Sequence, residues 1–116
     1  MHRLLAALLL LSLGSSLQAS PEPTLARADA AFHRGVTNKA RILQARRDFA
    51  EATDAYLDLH RAGIRSPALY RKLGDAATLA DRWPEAIWAY HMGLSLDPND
   101  LAMREHLAFV RGKVIY

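Results

Sequence analysis

The sequence predicts an all-α fold: an α-α superhelix of about two helix pairs and a C-terminal capping helix, following a signal peptide. Three observations carry this. Apolar residues recur at helical spacing from Ala26 onward, and no segment reads as a strand. Turn residues punctuate the pattern where helices should stop and start, at Gly63, Ser66-Pro67 and Asp97-Pro98-Asn99-Asp100. Finally, part of the chain matches itself when displaced by ~34 residues, the mark of stacked helical hairpins.

The first element is a targeting segment. Met1-His2-Arg3 is a short basic start, Leu4 to Leu13 is almost wholly aliphatic, and Gly14 to Ala19 is small and polar. That order reads as a secretory signal over 1–19, cut after Ala19. The apolar run is shorter than the ~20 residues needed to cross a bilayer, which argues against an uncleaved anchor. There is no Cys beside the cut, so a lipoprotein anchor is excluded. The domain expected to remain is 20–116.

A degenerate repeat is expected over about 26–66. Ala26 to Val36 carries Ala30, Phe32 and Val36 as apolar positions, and Thr37-Asn38 then breaks the pattern. Asn38 is placed to cap a long helix from about Lys39 to Arg61, which Gly63 ends. The ~34-residue displacement puts Phe49 on Trp83, Glu51 on Glu85, Ala52 on Ala86, Ala55 on Ala89 and Tyr56 on Tyr90. All but the first pair are identities, so the second helix of this unit is the better supported one.

The clear repeat runs over 67–100. Tyr70-x2-Leu73-Gly74-x2-Ala77 supplies its first helix, Ala86-x3-Tyr90 its second, and Pro98 closes it. Leu73 and Ala77 share one helical face, Gly74 lets the partner helix come close, and Ala86 is the small residue expected opposite that gap. Tyr90 fills the space further along, and Pro98 stops the helix because it has no amide donor. These residues resemble the tetratricopeptide repeat, W-x2-L-G-x2-Y then A-x3-F then P. Tyr70 stands in the Trp position and Ala77 in the Tyr position. The last element, 101–113, reads as a cap helix with Leu107, Phe109 and Val110 as its apolar residues. Glu105 lies towards its start and Arg111 and Lys113 at its end, which suits the helix dipole.

A wider set of residues resembles the tetratricopeptide proteins of bacterial aerotolerance (Bat-type) gene clusters, of the BatE-like kind. It runs from Ala31-Phe32-x2-Gly35-Val36 through Phe49-Ala50-x-Ala52-x3-Tyr56 and Arg61-Ala62-Gly63-Ile64-x-Ser66-Pro67. Leu73-Gly74-Asp75-Ala76 and Gly93-Leu94-x-Leu96-x-Pro98-x-Asp100 continue it. The resemblance implies an exported, periplasmic or membrane-associated adaptor that works with von Willebrand-type membrane proteins. Members often continue into membrane-spanning helices, whereas this sequence stops at Val114-Ile115-Tyr116. A self-stacking structural repeat, or the N-terminal part of a membrane-anchored protein, is the alternative.

Composition narrows the function classes. The chain carries 15 Lys and Arg against 12 Asp and Glu, and loss of Arg3 with the signal leaves 14 against 12. Acids and bases interleave as on a solvated helical surface, so a nucleic-acid partner is not expected. There is no Cys, which removes disulfides, thiolate zinc sites and a thiol nucleophile together. The five histidines, His2, His33, His60, His91 and His106, never fall three or four apart, so no metal site is expected. No Ser-His-Asp order or phosphate loop is present, and neither an enzymatic role, a cofactor nor a small-molecule substrate is expected.

The resemblance implies a concave face built from the first helix of each pair, taking a peptide or helix from another protein. Arg71, Asp75 and Thr78 are expected on it, with Lys72 at one side and Glu105 and His106 extending it from the cap helix. A solvated helix face without a ligand is the alternative reading. A clamp for a C-terminal carboxylate is not expected, because Asp75 would repel it. Trp83 is expected in the core, and Trp88 on the other side of its helix, beside Ile87 and His91.

Overall fold

The computed structural model describes residues 20–114. The expected signal segment and its cut lie outside the described residues. Five α-helices follow one another: α1 (Glu22–Thr37), α2 (Ile42–Arg61), α3 (Pro67–Leu79), α4 (Trp83–Leu96) and α5 (Leu101–Arg111). No strand occurs among the described residues. Each helix packs on the one before it across a short connection, and α3 also touches α5.

The helix ends follow local chemistry. Ser66 Oγ accepts the Leu69 amide at 3.1 Å, and Pro67 follows at the first helical position, where no donor is needed. Asp100 caps α5 by accepting the Met103 amide at 2.9 Å. At the end of α2, Gly63 takes φ +98 while the Ile64 amide reaches back to Leu59 O and the Gly63 amide to His60 O. This is a Schellman ending that glycine enters without steric cost. The end of α3 has the same two bonds, Arg82 to Ala77 O and Asp81 to Thr78 O, with Asp81 itself at φ 59.

Three expected boundaries shift. The first helix starts at Glu22, ahead of Ala26, since Pro23 in its opening turn costs no hydrogen bond. The second starts at Ile42 with Arg41 at its cap, so Asn38 does not cap it. The Asn38 amide N–H instead closes α1 on Arg34 O, and its side chain donates to Asp48 at 3.2 Å. Asp48 is buried and also takes a bond from Gln44, so satisfying its carboxylate decides where Asn38 goes. The final helix ends at Arg111, two residues short of Lys113.

The core is built from small residues and tyrosines. Ala28, Ala31, Ala52, Tyr70, Leu73 and Ala76 are fully enclosed between the first four helices, and Tyr56 nearly so. A second cluster joins Ala77, Ala86 and Tyr90 to Met103, Leu107 and Val110 of α5. A methyl group at Gly74 would collide with the Tyr90 ring, and one at Gly35 would lie only 2.6 Å from Phe49 Cε1. The space that Gly74 leaves is thus filled by the Tyr90 ring, and Ala86 is fully buried in the same cluster. Among the described residues no buried side-chain polar atom lacks a partner.

Candidate functional site

Helices α1, α3 and α5 meet along one face, where two adjoining cavities share Phe32 and Asp75. One, of about 280 Å³, is lined by Asp29, Phe32, Tyr56, Lys72 and Asp75. The other, of about 310 Å³, is lined by Phe32, Asp75, Thr78, Leu79, Tyr90, His106 and Phe109. Together they form a groove running across the three helices.

Its polar side chains are held by the helices behind it. The Tyr56 hydroxyl of α2 donates to Asp29 of α1, and Lys72 of α3 reaches the same carboxylate at 3.1 Å. The Tyr90 hydroxyl of α4 donates to Asp75 Oδ1 of α3 at 2.6 Å, and His106 Nδ1 of α5 lies 3.0 Å from that oxygen. The same arrangement therefore occurs twice: a phenol from behind, a carboxylate, and a basic side chain from the next helix along. Both phenols are pushed well above their ordinary range, first by burial and then by the carboxylate each one serves. They stay protonated and act as fixed donors. The carboxylate–base pairs are half exposed, so each stabilises by only ~0.2–1 kcal/mol. Their main effect is to set where the side chains point.

The sequence-predicted residues divide on this geometry. Asp75, Thr78, Lys72 and His106 all line the groove. Thr78 is half-buried, its hydroxyl donating to Gly74 O at 2.8 Å. Arg71 lines neither cavity; it pairs with Asp100 at 2.9 Å and ties α3 to the cap of α5. Glu105 is exposed and lines neither cavity. Sequence reasoning missed Asp29, Phe32, Leu79 and Phe109 as groove residues. For Phe109 a signal existed, because it lies three residues from His106 and so on the same side of its helix.

No protein-family model, curated protein or solved structure matches this chain.

Helices α2, α3 and α4 share an aromatic cluster outside the groove. Trp88 of α4 packs edge-on against His60 at 4.7 Å and Tyr70 at 6.0 Å between ring centres. His60 Nδ1 lies 2.8 Å from the Tyr70 hydroxyl. Burial, with Arg65 and Arg61 nearby, lowers the His60 pKa. Trp88 is half-buried and spans the contact from α4 to α2 and α3, while Trp83 is half-buried against the second core cluster. Among the described residues no three His, Asp or Glu side chains come together as metal ligands would, and no helix is long and apolar enough to cross a membrane.

Proposed function

We propose that this chain is a tetratricopeptide-type protein-interaction module, a non-catalytic adaptor in an exported, membrane-associated bacterial complex. The observation that carries the reading is the groove across α1, α3 and α5. It joins pre-positioned polar groups to exposed apolar ones, with Leu79 47 % and Phe109 55 % exposed. Apolar surface left open beside a few fixed hydrogen-bonding groups is the composition of a peptide-binding groove. The repeat pattern and the basic-then-aliphatic start of the chain support the tetratricopeptide type and the export. Von Willebrand-type membrane proteins are the partners that the family resemblance suggests.

The test is affinity capture from a membrane-plus-periplasm extract, with the full chain and its Phe109→Glu variant as parallel baits. A discrete partner held by the first and lost by the second is the expected result. A partner kept equally by both would move binding away from the groove.

Exposed Leu101, 65 % accessible, and Phe109 on the terminal helix favour a second reading, in which copies stack end to end. Sedimentation across a wide concentration range separates the two, since only stacking makes the mass rise with concentration.

A further inference from the structure

Within the groove, Asp75 is only half satisfied. Tyr90 and His106 both bond its Oδ1, and among the described residues no donor reaches Oδ2. The side chain keeps 31 % of its surface open, so it is neither lost in the core nor freely solvated. Around it stand Phe32, Leu79 and Phe109, two aromatic rings and an aliphatic side chain. Among the side chains that line the two cavities the acids Asp29 and Asp75 outnumber Lys72, histidine being counted as neutral as in the whole-chain charge, and Lys113 lies at the edge over the Phe109 ring. The chain as a whole is positive, at +3, so this face runs against the molecule's overall charge.

We propose that the groove takes a cationic side chain, arginine or lysine, flanked by apolar residues on a partner peptide. This rests on the groove being the binding face. The head group would donate to Asp75 Oδ2, a charge-assisted bond, with its stem against Leu79 and its charge beside the Phe32 ring, since Lys113 already lies over the Phe109 ring at 5.1 Å. Tyr90 fixes the carboxylate from behind, so little ordering is needed when the ligand arrives. An anionic side chain or a terminal carboxylate in the same place meets Asp75 directly and is rejected.

The test uses the full chain and three short fluorescein-labelled peptides, alike except at a central residue with leucine on both sides. That residue is Arg, norleucine or Glu. Fluorescence anisotropy should show the Arg peptide binding roughly tenfold more tightly than the norleucine peptide, the scale of one charge-assisted hydrogen bond. The Glu peptide should bind most weakly. Asp75→Asn, which still accepts from Tyr90, should bring the Arg and norleucine peptides to equal affinity while circular dichroism stays unchanged. A wild-type preference for norleucine or Glu, or an Arg preference that survives Asp75→Asn, overturns the cation site and leaves a groove that binds. No binding by any of the three overturns both the cation site and the groove reading.

Discussion

At Gly74 the hairpin of α3 and α4 has no room for a methyl group. The Tyr90 ring that occupies the space is fully buried and its hydroxyl is held by Asp75, so it cannot swing aside. For Gly74→Ala the overpacking cost, about 1–3 kcal/mol, outweighs the ~1 kcal/mol of helix propensity that alanine returns. Urea unfolding should show a net loss of about 1 kcal/mol, the middle of that overpacking range less what alanine returns. Gly63→Ala meets no atom within 4 Å and is strained only through its φ of +98. An equal loss at the two sites, together with a Tyr90→Leu variant that fails to rescue Gly74→Ala, would rule out the steric account.

His60 gives a second prediction at this scale. Its pKa in the folded chain lies below the usual 6.5 because burial, and then Arg65 and Arg61, disfavour the cation. Above 6.5 the ring is neutral in both states and its contribution is complete. As the pH falls below 6.5 the unfolded chain takes up the proton first, so stability is lost until the folded pKa is reached. The groups facing His60 are Tyr70, Trp88, Arg61 and Arg65, with Glu85 of α4 across a shallow pocket between α2 and α4. Urea midpoints should therefore drop between about pH 7.5 and pH 5.5 by more in the wild type than in His60→Gln. Equal slopes in the two proteins would remove His60 as the source.

Helix α5 is capped by a single side chain. Asp100 caps it through the Met103 amide and pairs with Arg71, and those contacts, the Met103 bond foremost, hold its carboxyl below the usual 3.8. A lowered pKa means that the stabilisation is present above 3.8 and is lost as the pH falls through the folded value. In acid, α5 should loosen from α4, and Asp100→Asn, which still caps but carries no charge, should lose less on the same descent. Tyr90 near-ultraviolet dichroism against pH follows this, because His106 of α5 packs on that ring. A descent of the same size in both proteins would place the acid sensitivity elsewhere.

Across the whole molecule, contacts run mainly between neighbouring helices, so stability should be graded along the chain. The helices α2, α3 and α4 have a neighbour on each side, whereas the described part of α1 packs chiefly on α2, and α5 chiefly on α4. Hydrogen exchange should be slowest in α3 and α4 and fastest in the first turns of α1 and the last turn of α5. Uniform protection from α1 to α5 would mean a single cooperative unit instead.

Spacing and residue type sufficed for the helices, for the turns at Gly63, Ser66-Pro67 and Pro98, and for the burial of Ala52, Tyr56, Leu73, Ala86 and Tyr90. Each of these depends on spacing within one or two helical turns or on one residue's backbone chemistry, and such information is local. It went astray at Asn38, whose capping chemistry was plain but whose side chain is claimed by Asp48, ten residues on and buried. The groove was legible in part. Asp75, Thr78, Lys72 and His106 could be placed from helical phase, but Arg71 is drawn off to Asp100 by a partner in a separate turn. That Asp29 and Phe32 of α1 stand beside Lys72 and Asp75, and that one oxygen of Asp75 stays unclaimed among the described residues, came from helix packing alone. Those residues lie forty or more positions apart, and their meeting depends on how one helix pair is set against the next, which no local pattern encodes.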